Sequence, residues 1–83
     1  MDKMKTLIST LQPEDVQKVN EWITNYPDEV PKDQDKAVNV LIYNILWDYK
    51  SRAEDAPFTE AMKINKQKAA LYQKWKDLGI IDN

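Results

Sequence analysis

Residues 35–50 read DKAVNVLIYNILWDYK, and this run decides the fold. It is the one long stretch of the chain that is apolar on more than one face. At 100° per residue, Val38, Leu41, Ile42, Ile45, Leu46 and Tyr49 fall on one broad stripe, while Val40, Tyr43 and Trp47 form a second stripe nearly opposite. Asn39 with Lys50 marks one narrow polar seam, and Asn44 with Asp48 marks the other. A helix that is apolar almost all round needs cover on several sides, so the flanking sequence must supply it. The pattern places Leu41, Ile42, Ile45 and Leu46 in the core.

Upstream, residues 27–34 (PDEVPKDQ) read as a loop, because two prolines four apart preclude a helix and the remainder is mostly charged. Val30 is its one expected anchor to the core. Asp33 or Asp35 can cap the following helix by accepting an N–H from its first turn, and Asp33 gives the better register. Before the loop, Val16, Val19, Trp22, Ile23 and Tyr26 recur at steps of three and four behind Pro13, which suits a first helical position. Glu14 and Asp15 put negative charge where the helix dipole favours it. Earlier still, Met4, Leu7, Ile8 and Leu11 predict a short helix that is stable only when docked.

Downstream, Ala56-Pro57 ends the long helix, since the residue before proline avoids α conformation. Thr59 is the expected N-cap of a last helix, with Phe58 folding back on Met62 or the stem of Lys63 as a hydrophobic staple. Ala61, Ile64, Lys68, Leu71, Trp75 and Leu78 then follow a heptad-like seam with one polar member, Lys68. The stem of Lys68 can lie along the core while its ammonium reaches water, or it can pair with Asp48 or another acid. Gly79 sits where a left-handed C′ residue belongs, with Ile80 at C″. The sequence therefore predicts an all-α fold: a small bundle of about four helices, near 2–11, 13–26, 34–54 and 59–78, around a central apolar helix.

Eighty-three residues make one domain, 1–83. A chain this short buries only about 60–65% of its unfolded surface. It has neither cysteine nor histidine, so disulfides are excluded and zinc is disfavoured. Large side chains (three Trp, four Tyr and one Phe) or self-association must make up the difference. One glycine and four prolines argue against an all-β fold. No apolar run follows a basic N-terminus, which predicts neither a signal peptide nor a transmembrane span. The lack of cysteine fits a reducing compartment, and the cytoplasm is the expected location.

Function is constrained mainly by exclusion. Without histidine there is no Ser-His-Asp or Cys-His arrangement, and nothing around Ser9 or Ser51 marks a nucleophile turn. The single glycine cannot build a phosphate-cradling loop. Asp28, Glu29, Asp33 and Asp35 cluster acidic oxygens, but a calcium loop counted from Asp28 puts Asn39 at its twelfth position and Asp33 at its sixth, where Glu and Gly belong. The expectation is a protein without enzymatic chemistry, cofactor or metal, and with no role at a membrane.

Two binding readings remain. In the first, the excess apolar surface of the long helix (Val40, Tyr43 and Trp47) meets a protein partner or a second copy of the chain. Regulators and inhibitors of larger machines, including those of phages and mobile elements, are often of this size and class. The bland alternative is that single exposed aromatics are ordinary. In the second, the last helix binds a phosphate-bearing ligand, a nucleotide or a nucleic acid. Lys63, Lys66 and Lys74 share one face, while Lys68 and Lys76 flank the apolar stripe near Tyr72 and Trp75, whose flat rings suit a base. Against it, the net charge is −2 and the chain has one arginine, so the lysines can equally be a solvated face.

Overall fold

The computed structural model describes residues 2–81 and contains four α-helices, with no strand among those residues. They are α1 (Lys3–Ser9), α2 (Pro13–Asn25), α3 (Gln34–Asp55) and α4 (Phe58–Asp77), with a single 3₁₀ turn at Pro27–Glu29. The all-α class is as expected. No helix among the described residues is long and apolar enough to cross a membrane. The chain divides into two compact units, Met1–Ile42 and Tyr43–Asn83, with α3 running from one into the other.

In the first unit, α1 is shorter than its apolar spacing suggested. Asp2 caps it, accepting the Lys5 N–H at 3.1 Å, and Thr10 closes it through its backbone N–H. Leu11 and Gln12 lie outside, and Pro13 opens α2 at its first position with Glu14 and Asp15 in the first turn. The Gln12 side chain makes no cap bond, so the proline and the acids set this boundary. Asp33 caps α3, its Oδ1 accepting from the N–H of Asp35 at 2.9 Å and of Lys36 at 3.4 Å.

A tie that the sequence did not reveal joins the starts of α1 and α3. The Gln34 Nε2 donates to Asp2 Oδ1 at 2.8 Å, and Lys3 Nζ lies 3.5 Å from Asp35. The buried apolar side chains of this unit are Leu7, Val19, Ala37, Val38 and Leu41. Asp15 is buried as well, and no buried side-chain nitrogen or oxygen among the described residues lacks a hydrogen-bond partner. Val30 is half-buried, in keeping with its expected anchoring role, and so is Pro31.

In the second unit, Ala56 and Pro57 turn the chain between α3 and α4, with Ala56 N–H donating to Ala53 O at 3.3 Å. Helix α4 begins one residue before Thr59: Pro57 holds the N-cap position without a side-chain bond, and Thr59 lies inside the first turn. Phe58 is 81% exposed, so no hydrophobic staple forms. At the other end, Gly79 adopts φ +76°, its N–H bonds Lys76 O at 3.0 Å, and the Ile80 N–H bonds Trp75 O at 2.9 Å. This paired closure is the Schellman pattern, and it holds Ile80 buried next to the fully buried Trp75. Ile45 and Tyr49 are the other buried apolar side chains here.

Candidate functional site: an open aromatic face

The four α3 residues assigned to the core divide by angle. Leu41 and Ile45 are buried, whereas Ile42 and Leu46 at the stripe's edge are half-buried. Round the helix from Leu46 lie Tyr43 and Trp47, one turn apart, 66% and 54% exposed. Their rings stack with centroids 6.2 Å apart and planes 17° from parallel. Lys50 continues the row, its Nζ 5.0 Å from the Trp47 ring centroid. Such a row holds itself in place: offset stacking and a cation over the indole each favour the observed rotamers. Of the three expected interface residues, these two stand open, while Val40, one turn earlier, is half-buried.

Helix α4 carries its lysines on two faces. Lys63, Lys66 and Lys74 are exposed together with Gln67 and Ala70. Tyr72 lies about 120° or more round the helix from all three, so it does not complete their face. Instead Tyr72 lines a shallow depression of about 450 Å³ with Leu46 of α3 and Asn65, Lys68 and Ala69 of α4. The lysines near its ring are Lys68, which shares that depression, and Lys76, whose Nζ is 5.1 Å from the ring centroid. Lys68 is half-buried, as its place in the seam predicted. Asp48 bonds Arg52 one turn along α3, with Arg52 Nε donating to its Oδ2 at 2.9 Å and Nη2 donating to the same atom. The guanidinium also lies 4.6 Å from the Tyr49 ring centroid.

A second row runs along α4. Phe58, Met62, Asn65, Ala69, Tyr72 and Lys76 follow one another at alternating steps of four and three, and they share one side of the helix. Phe58, Met62 and Tyr72 are all exposed large side chains. The spacing was visible in the sequence.

Among the described residues, no group of three or more acidic side chains is placed to hold a metal ion. The acidic loop is used locally: Asp28 and Glu29 sit in the 3₁₀ turn and Asp33 caps α3. A second depression of about 420 Å³ follows one side of α2 from Pro13 to Asn25, with Val16 its apolar member. The chain matches no protein family, and no curated protein or solved structure matches it.

Proposed function

We propose that this protein acts by protein–protein contact, without catalytic chemistry of its own, and that the open face of α3 carrying Tyr43 and Trp47 is the contact surface. The observation that supports this reading is the stacked pair itself: two large rings, more than half exposed, preset on consecutive turns of a helix. Rings of this kind supply most of the energy at protein interfaces, because each buries a large area while fixing few torsions. Here the stack and Lys50 already restrict those torsions, which lowers the ordering cost of binding. A chain of this size that occupies a partner's surface regulates or blocks what that surface does.

The test is site-directed photocross-linking. A benzoylphenylalanine placed at Tyr43 and, as control, at the exposed Ala70 is irradiated in purified protein at high concentration and in cell extract. Adducts to protein at position 43, absent at position 70 and lost in a Trp47→Ala background, are the expected result. Equal labelling at the two positions refutes the reading.

A further inference from the structure

We propose that the occupant of this surface is a second copy of the chain, whose α3–α4 hairpin lies antiparallel against the first across a two-fold axis. The inference rests on the contact reading above and adds the identity and orientation of the partner.

Three observations lead there. The first is the pair of rows. Tyr43, Trp47 and Lys50 on α3, and the row from Phe58 to Lys76 on α4, both repeat at steps of four and three, the spacing by which one helix seats another. Leu46, which neighbours the α3 row on the helix wheel, lines a single depression with Asn65, Ala69 and Tyr72 of the α4 row. A lone helix would fill that groove and leave both outer flanks bare. A second hairpin covers both rows at once, completing a four-helix arrangement.

The second observation is charge. Residues 48–62, around the connection, hold Asp48, Glu54, Asp55 and Glu60 against Lys50 and Arg52, a net −2, whereas residues 63–77 hold five lysines against Asp77, a net +4. The hairpin is therefore acidic at its closed end and basic along α4 toward its open end. Parallel pairing sets like ends together. Two-fold antiparallel pairing sets Lys76 of each copy toward Glu54 and Asp55 of the other, and complementary charge of this kind selects orientation. Lys66 and Lys68 fall near the axis, where long stems let their ammonium groups splay into water.

The third is self-complementarity. With the axis at the middle of the α4 row, Met62 meets Tyr72 of the second copy and Asn65 meets Ala69, so large side chains face aromatic or small ones. An isologous contact of this kind closes on itself and stops at a dimer.

Sedimentation equilibrium between about 10 and 300 µM, the range in which small interfaces assemble, tests the proposal on the parent and three variants. The parent is expected to dimerise. Met62→Glu, at an exposed position, and Lys76→Glu, at a half-buried one, are each expected to weaken the dimer about tenfold, equivalent to about 1.4 kcal/mol. Adding Glu54→Lys and Asp55→Lys to Lys76→Glu is expected to restore affinity to within about threefold of the parent, as only an antiparallel pairing allows. Circular dichroism confirms that each variant remains helical. A parent that stays monomeric overturns the inference, as does a dimer indifferent to Met62→Glu, or a charge reversal that restores nothing. A monomeric parent that still cross-links a different protein through position 43 overturns only the second copy and leaves the contact reading standing.

Discussion

Leu41→Ala and Trp47→Ala, about 120° apart round one helix, should separate folding from contact. Leu41 is 2% exposed. Truncating a leucine so deeply buried costs about 3 kcal/mol, from lost transfer energy and the cavity left behind. Trp47 is 54% exposed, and its ring contacts include the stack on Tyr43 and the cation of Lys50. Those two are worth about 1 kcal/mol and 0.5 kcal/mol respectively at an open site. Alanine's better helix propensity returns about 0.5 kcal/mol, leaving a net cost near 1 kcal/mol. A chain of 83 residues has about 4–12 kcal/mol of stability in all. With a urea dependence of about 1 kcal/mol per molar, the Leu41 variant should melt about 2 M below the Trp47 variant. Melts are read by circular dichroism at low protein concentration, so that assembly does not contribute. Cross-linking and sedimentation should show the opposite ranking, with Trp47→Ala the more damaging. If Trp47→Ala proves as destabilising as Leu41→Ala in dilute protein, the ring belongs to the folded core and the contact reading fails.

Gly79→Ala should cost about 1 kcal/mol by thermal melting, because φ +76° is strained for a residue with a Cβ. A Cβ there meets nothing within 4 Å, so Gly79→Asn, which tolerates the left-handed region, should recover part of the loss, and equal losses would point to a steric cause instead. Asp33→Ala removes the acceptor for two α3 N–H groups and should lower stability by about 1 kcal/mol, seen as a fall in melting temperature of about 5 °C. For Lys63, Lys66 and Lys74, simultaneous change to Gln should leave helix content unaltered, and neither parent nor variant should bind mixed oligonucleotides at low salt. Binding by the parent that the triple change abolishes would restore the phosphate reading, since electrostatic attraction is strongest there.

Helix ends were the most legible part of the sequence, because local chemistry decides them. Pro13 starts α2, Asp33 caps α3, and Gly79 with Ile80 closes α4, each through contacts within six residues. The bond from Gln34 to Asp2 was invisible for the opposite reason: it joins residues 32 positions apart, and no periodicity encodes it. Helical spacing likewise showed that α3 has two apolar faces but not how far the cover reaches. Ile42 and Leu46 sit at the margin of the buried stripe, where a few tens of degrees decide exposure. The aromatic face was half legible. Tyr43 and Trp47 follow from the wheel, as does the placing of Lys68 and Lys76 near Tyr72, but the Lys50 contact depends on a rotamer.

The most direct test of the contact surface follows Trp47 itself. The protein labelled with 5-fluorotryptophan gives three fluorine resonances, assigned through Trp→Phe variants, and the solvent isotope shift of each reports its access to water. In dilute protein Trp47 should show a large shift and Trp75 none. As concentration rises into the range of assembly, the Trp47 shift should shrink while Trp75 stays unchanged. A Trp47 shift that remains constant from the dilute to the concentrated limit would contradict the pairing of two copies through this face, because the ring would then face water throughout with no second copy to cover it.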